Sequence, residues 1–133
     1  MRTILAIAAS QDLQQLLQRV FGKTDALILC SCPEEAAAHL QREIDALIIE
    51  LSLPDCIGLE FLESCHRWLP PVVLALTPVV SPSVMAEAAA AGVTCMIRLP
   101  CTAREIAARL ETGIKKIPPF REGKDCQKVT PYE

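Results

Sequence analysis

The stretch DALIIELSLPDCIG, residues 45–58, decides how the rest of the chain is interpreted. Its residues 46–49 are apolar without polar alternation and too few for a helix, which indicates a short strand buried on both faces. One carboxylate, Glu50, follows this run, and a Leu-Ser-Leu-Pro loop then leads on toward Gly58. Because open α/β sheets place ligand sites at the carboxyl ends of their strands, Glu50 is the first candidate for a functional residue.

Four further apolar runs have the length of buried strands and lie on both sides of this stretch. They cover residues 3–8, 26–30, 72–76 and 95–98, and helical patterns separate them. The clearest helical pattern can be capped by Ser10 or Asp12 and ended by Gly22, and its apolar stripe is Leu13, Leu16, Leu17, Val20 and Phe21. Strands that alternate with helices predict a parallel sheet covered on both faces.

Proline, glycine and hydroxyl residues mark the ends of the remaining helices. Pro33 opens a short helix, Ser81 and Pro82 precede an alanine-rich helix that Gly92 ends, and Thr102 caps the last helix. The helix after residue 58 buries Leu59, Leu62 and Cys65 and stops before the prolines at positions 70 and 71. We therefore expect one domain over residues 1–117 and a polar tail or linker over residues 118–133.

Composition excludes several classes of function. The chain has 13 basic and 16 acidic residues and a net charge of −3, which gives no basic footprint for nucleic acid. No apolar run approaches the roughly 18 residues of a membrane span, and the opening run is too short for a secretion signal. We expect a cytoplasmic domain that contacts neither nucleic acid nor membrane.

These features together resemble the receiver domain of bacterial two-component response regulators, over residues 2–116. The resemblance rests on the spacing from Asp45 through Pro54 to Gly58, on residues 72–77 ending in a hydroxyl, and on Ala-Ala-Gly at residues 90–92 followed by a strand. It implies a flavodoxin-like α/β fold, with a five-stranded parallel sheet in the order 2-1-3-4-5 and helices on both faces.

The resemblance also implies a set of site residues. Receivers bind Mg²⁺ with two adjacent acids after the first strand and are phosphorylated on an aspartate that ends the third. A Ser or Thr ends the fourth strand, and a lysine precedes the proline after the fifth. The corresponding residues of this chain are Ala8, Ala9, Glu50, Thr77, Leu99 and Pro100, with Pro100 the candidate for a cis peptide bond.

Of the five positions that carry the chemistry of receivers, the three at Ala8, Ala9 and Leu99 are thus apolar in this chain. A hard cation such as Mg²⁺ needs several oxygen ligands. We therefore expect a degenerate pocket without metal, cofactor or enzymatic activity, that is, a pseudo-receiver in signal transduction. By resemblance, its partners are signalling proteins such as a kinase, an output domain or an effector, or a second copy in a homodimer. They would contact the face of the fourth helix, fifth strand and fifth helix, which carries Glu87, Arg98, Arg104 and Lys115.

The sequence leaves the roles of Glu50 and Thr77 open. Glu50 is an unconventional phosphoacceptor, a built-in mimic of a phosphorylated aspartate, or a carboxylate bonded to Thr77 or Ser10. Thr77 is either a two-position switch or a hydroxyl that bonds a neighbouring loop. Met96 takes the place of the aromatic side chain that senses this hydroxyl in active receivers, and its flexibility argues against the switch.

A cysteine-based redox or metal sensor on the same fold is the remaining alternative. The chain has seven cysteines and no Cys-x-x-Cys pair, so reduced thiols are the simpler interpretation. Cys56 and Cys101 flank the degenerate pocket, and Cys30 and Cys32 end the second strand at the same edge. We expect the loops that carry these cysteines to be too far apart for the thiols to share an ion. The two histidines, His39 and His66, are expected on opposite faces of the sheet.

Overall fold

The computed structural model describes residues 2–22, 25–41, 43–51 and 57–115. The side chains of Gln41, Ile57 and Lys115 are not among the described parts. The expectations about Cys56 and about the tail at residues 118–133 concern residues outside this range.

Five parallel strands form one sheet in the order β2-β1-β3-β4-β5. The register places Ile4 of β1 opposite Leu27 on one side and opposite Ala46 on the other. The strands are β1 (Thr3–Ile7), β2 (Ala26–Cys30), β3 (Ala46–Glu50), β4 (Val72–Thr77) and β5 (Cys95–Arg98). The predicted fold class and strand order are confirmed, and the quoted stretch supplies the central strand.

The helices between the strands are α1 (Gln11–Phe21), α2 (Pro33–Ala37), α3 (Ile57–Ser64), α4 (Pro82–Ala91) and α5 (Ala103–Lys115). Short 3₁₀ turns, Ala38–Gln41 and His66–Trp68, extend α2 and follow α3. The boundaries of three strands and one helix differ from the sequence expectation by one residue: β1 ends at Ile7, β3 includes Glu50, β4 includes Thr77, and α4 begins at Pro82.

Two hydrophobic clusters sandwich the sheet, because successive side chains of a strand point to opposite faces. In β1, Ile4 and Ala6 face the helices α1 and α5, whereas Leu5 and Ile7 face α2, α3 and α4. The first cluster is completed from the helices by Leu13, Leu17, Phe21, Ile106 and Leu110, and the second by Ala36, Phe61, Leu62, Ala88 and Ala91. This double burial explains the unbroken apolar runs of the sequence.

Three side-chain caps fix the starts of α1, α4 and α5. The Ser10 and Ser81 hydroxyls each accept a bond from the backbone N–H three residues later, at 3.3 Å. Thr102 and Glu105 form a reciprocal capping box, with both bonds at 3.1 Å. These caps were predicted from sequence, and of the two candidates for α1 the structure selects Ser10 over Asp12.

Acidic residues tie together the amino-terminal ends of the strands. The Asp45 carboxylate, at the head of the quoted stretch, accepts a 2.7 Å bond from the backbone N–H of Thr3. Arg2 donates to both carboxylate oxygens of Asp25, at 3.0 and 3.1 Å, and to Glu111 of α5 at 2.7 Å. The structure thus anchors β1 to β2, β3 and α5 at the edge opposite the candidate site.

The expected separation of the two histidines is wrong. His39 follows α2 and His66 follows α3, and both helices pack on the same face of the sheet. The reason is the hand of the crossovers. The connection from β1 to β2 runs one way along the sheet, whereas the next three connections run the other way, so α2, α3 and α4 share a face.

Candidate functional site

The carboxyl edge of the sheet brings the predicted site residues together. Glu50 ends β3 next to Leu76 of β4, and the backbone N–H of Leu99 donates to the carbonyl of Thr77 at 2.8 Å. On the other side of β3, the N–H of Ala8 donates to the carbonyl of Cys30 at 2.9 Å. The residues that follow β1, β4 and β5 therefore lie at the same edge of the sheet as Glu50.

The Glu50 carboxylate is bound by the loop between β1 and α1. Its Oε1 atom accepts hydrogen bonds from the backbone N–H groups of Ala9, at 2.9 Å, and Ser10, at 3.1 Å. Ser10 is the N-cap of α1, so the negative charge lies at the positive end of the helix. Charge-assisted bonds of this kind are among the stronger hydrogen bonds in proteins. Glu50 thus connects the central strand to the start of α1.

Gln14 holds the same loop from the other side. Its side-chain Nε2 donates to the carbonyl oxygen of Ala8 at 2.6 Å, one turn into α1. Sequence reasoning missed this residue, because a glutamine in an amphipathic helix has the pattern of a solvent-facing position. Glu50 therefore accepts from the N–H groups of Ala9 and Ser10, and Gln14 donates to the carbonyl of Ala8.

Thr77 bonds its own loop. The side chain is only 1% exposed, and its hydroxyl donates to the carbonyl of Val79 at 3.2 Å and accepts from the N–H of Val79 at 3.3 Å. Of the two partners that the sequence left open for Glu50, the structure gives Ser10, through its backbone rather than its hydroxyl. Thr77 bonds Val79 instead, as the loop-bonding interpretation predicts.

Leu99 is the residue that the resemblance assigns to the lysine position of receivers. It is half-buried and packs against the hydrophobic cluster on the α1 and α5 face. The peptide bond between Leu99 and Pro100 is cis. Ala8 is fully buried in the same cluster, so its side chain is part of the core.

The residues present do not fit the Mg²⁺ that the fold family implies. Ala8 and Ala9 offer methyl groups where two carboxylates would be needed, and a hard cation takes about six oxygen ligands. The carbonyl of Ala8 and the Oε1 atom of Glu50 already accept N–H bonds. Among the residues that the structure describes, no group of three or more His, Cys, Asp or Glu side chains is arranged to hold a metal ion.

Two thiols near this edge, those of Cys30 and Cys101, belong to the hydrophobic core or pack against it. The five described cysteines are free, and they are Cys30, Cys32, Cys65, Cys95 and Cys101. Burial raises the pKa of the Cys30 thiol, with the Glu35 carboxylate adding to the effect, and burial likewise raises the pKa of Cys101. Both shifts disfavour the thiolate, which is the reactive form of cysteine.

Comparisons with known proteins give a consistent picture of the fold. No family model and no curated protein matches the chain. Among solved structures, the chemotaxis protein CheY4 of Vibrio cholerae is 22% identical, with a TM-score of 0.76 over 84% of this chain and 98% of its own. A two-component response regulator from Clostridium difficile is 18% identical, with a TM-score of 0.78 over 87% and 98%.

A pilus assembly-related protein from Burkholderia pseudomallei is also similar, with 22% identity and a TM-score of 0.69 over 91% of this chain and 95% of its own. The neighbours are response regulator receiver domains for the most part, and the five parallel strands in the order 2-1-3-4-5 are the flavodoxin-like receiver fold. In the described part of the chain, no helix has the length and apolar character to cross a membrane.

Proposed function

We propose that the chain is a pseudo-receiver, a non-enzymatic signalling domain that acts through protein contacts without conventional phosphorylation of an aspartate. We place it in the cytoplasm, in a phosphorelay-type pathway. Ala8, Ala9, Glu50, Thr77 and Leu99 form its degenerate pocket.

The observation that carries the proposal is the bonding of Glu50. Two backbone N–H groups donate to its Oε1 atom. In a phosphoacceptor, by contrast, a carboxylate oxygen must be free to attack the phosphorus atom. Phosphoryl transfer in receivers depends on positioning and on charge stabilisation by metal and cation. Here methyl groups replace the metal ligands, and the half-buried Leu99 replaces the cation. Glu50 therefore serves as an internal ligand of the loop.

The partner surface in this proposal is the face of α4, β5 and α5. Met85 of α4 is 50% exposed, and Val79 just before α4 is 40% exposed. Pro82, Ala86 and Ala90 add exposed apolar area to α4, and Glu87 is the one charged residue of that helix. An exposed apolar surface of this kind suits a protein partner or a second copy of the chain.

Titration with beryllofluoride and Mg²⁺ tests the proposal, because the mixture imitates a phosphoryl group on an acceptor carboxylate. We expect the ¹⁵N–¹H spectrum to show no shifts at Ala9, Glu50, Thr77 or Leu99. Saturable shifts at these amides would refute the proposal and favour Glu50 as an unconventional phosphoacceptor.

The partner surface is tested separately with Met85→Lys. We expect this variant to lose proteins that the wild-type domain captures, or to shift a dimer toward monomer in sedimentation. Arg19→Glu on the exposed side of α1 is the control and should leave binding unchanged. If Arg19→Glu loses binding and Met85→Lys does not, the partner binds α1 and the proposed surface is wrong.

A further inference from the structure

A groove lies between α2 and α3, away from the pocket and from the α4, β5 and α5 face. Its volume is about 390 Å³, and its lining residues are Pro33, Glu34, Ala37, Glu60, Phe61, Ser64 and Cys65. A volume in this range accommodates one or two large side chains of a bound segment. We call this feature the α2–α3 groove.

The floor of the groove is apolar. Phe61 is 9% exposed and belongs to the core cluster, and the partly buried Cys65 packs against the same cluster. Pro33 and the exposed Ala37 contribute small apolar surfaces from α2. An apolar side chain in the groove would thus bury surface against residues that the fold already holds in place.

The rim of the groove is acidic on both sides. Glu34 on α2 and Glu60 on α3 are exposed, and none of the described Lys or Arg residues lines the groove. In the part of the chain that the structure describes, the two ion pairs are those of Arg2, so neither rim carboxylate has an internal cation. Basic side chains of a partner could therefore pair with the carboxylates of Glu34 and Glu60 on the two sides of the apolar floor.

We propose that the α2–α3 groove docks a basic amphipathic segment of a partner protein. The segment places one apolar side chain over Phe61 and Ala37, and lysine or arginine residues on either side face Glu34 and Glu60. Together with the α4, β5 and α5 surface of the proposed function, the groove would allow the domain to connect two proteins, and only this connection rests on that proposal. The inference stands on the groove alone and does not depend on the phosphorylation state of Glu50.

The test uses a fluorescein-labelled helical peptide of leucine and lysine, with a leucine and glutamate peptide of the same pattern as its counterpart. We expect the lysine peptide to bind, and Glu34→Lys and Glu60→Lys each to weaken binding by about tenfold, since reversal replaces attraction by repulsion. Ala37→Trp, which fills the groove, should have a similar effect. Glu43→Lys carries the same change of net charge at an exposed position outside the groove and should bind like wild type.

Amide shift mapping locates the bound peptide. Shifts concentrated in α2 and α3 support the proposal. Three results overturn it: equal binding of the glutamate peptide, equal weakening by Glu43→Lys, or shifts confined to α4, β5 and α5. Shifts in α2 and α3 that appear on raising the protein concentration without peptide would assign the groove to a second copy and would also overturn it. None of these results bears on beryllofluoride binding, so the two proposals fail independently.

Discussion

At the residue scale, Glu50 has a bonding role within the chain, and the resemblance assigns this residue to the phosphoacceptor position. Two backbone N–H groups donate to its Oε1 atom at the start of α1. A mimic of phosphorylation needs a cation near its charge. Leu99, which the resemblance assigns to the position of that cation, packs against the hydrophobic cluster on the α1 and α5 face. We therefore interpret Glu50 as a structural residue of the loop.

We predict that Glu50→Ala lowers the free energy of unfolding by about 1–3 kcal/mol, because the N–H groups of Ala9 and Ser10 lose a charged acceptor. Glu50→Gln keeps a neutral acceptor and should cost about half as much. Urea denaturation followed by circular dichroism measures both values.

Glu43→Gln is the matched control, because Glu43 is exposed and lies outside the site. It should change the unfolding free energy by less than about 0.5 kcal/mol. If Glu50→Ala unfolds at the same urea concentration as wild type, the carboxylate does not hold the loop.

A second prediction concerns the thiols beside the site. The pKa values of Cys30 and Cys101 are raised by burial, so both groups stay protonated at neutral pH. We expect iodoacetamide to modify them slowly at pH 7 and faster as pH rises, with midpoints above that of a cysteine in an unfolded peptide. Peptide mass spectrometry of the time course gives each rate.

Rapid alkylation of Cys30 or Cys101 at pH 7, faster than that of an unfolded peptide, would contradict this prediction. It would indicate a stabilised thiolate and revive the cysteine-based sensor as the function of this edge.

At the element scale, the junction of α4 and β5 depends on one backbone conformation. Gly92 has a φ of 111°, in the left-handed region, and its N–H bonds back to the end of α4. A Cβ atom at this position would lie 2.7 Å from the Cδ1 atom of Leu69. The left-handed turn thus favours glycine, and a Cβ atom would also require the Leu69 side chain to shift.

We predict that Gly92→Ala lowers the free energy of unfolding by at least about 1 kcal/mol, because alanine is strained at this φ and must also displace Leu69. Thermal denaturation is a sufficient measure, and the midpoint should fall by several degrees. An unchanged midpoint would show that the α4 terminus can adopt another turn at no cost.

At the scale of the whole molecule, much of the fold could be predicted from local pattern. Double burial makes the inner strands β1, β3 and β4 largely apolar runs. Ser10, Ser81 and Thr102 mark helix starts, because their hydroxyls accept bonds from backbone N–H groups of the first turn. The site was predicted as a set of positions, since the resemblance assigns each strand end its residue. Local pattern therefore predicted the order of strands and helices, whereas the pocket residues follow from the resemblance and stay a prediction.

What could not be predicted depends on backbone geometry and on distant pairs. No sequence pattern shows that the N–H groups of Ala9 and Ser10 point at Glu50, or that Arg2 reaches both Asp25 and Glu111. The prediction that His39 and His66 lie on opposite faces is wrong, because the face on which a helix packs depends on the direction of its crossover along the sheet. The α2–α3 groove could not be predicted, because it forms only where the two helices pack side by side.

The central claim is that this receiver fold no longer takes up phosphate, and intact-mass measurement after incubation with acetyl phosphate and Mg²⁺ tests it most directly. The variant with Ala8→Asp, Ala9→Asp, Glu50→Asp and Leu99→Lys restores every chemical group of the family and serves as the comparison. The account predicts an unmodified wild-type mass under conditions that add a phosphoryl group to the restored variant. A phosphoryl group on wild-type protein, mapped to Glu50, would contradict it.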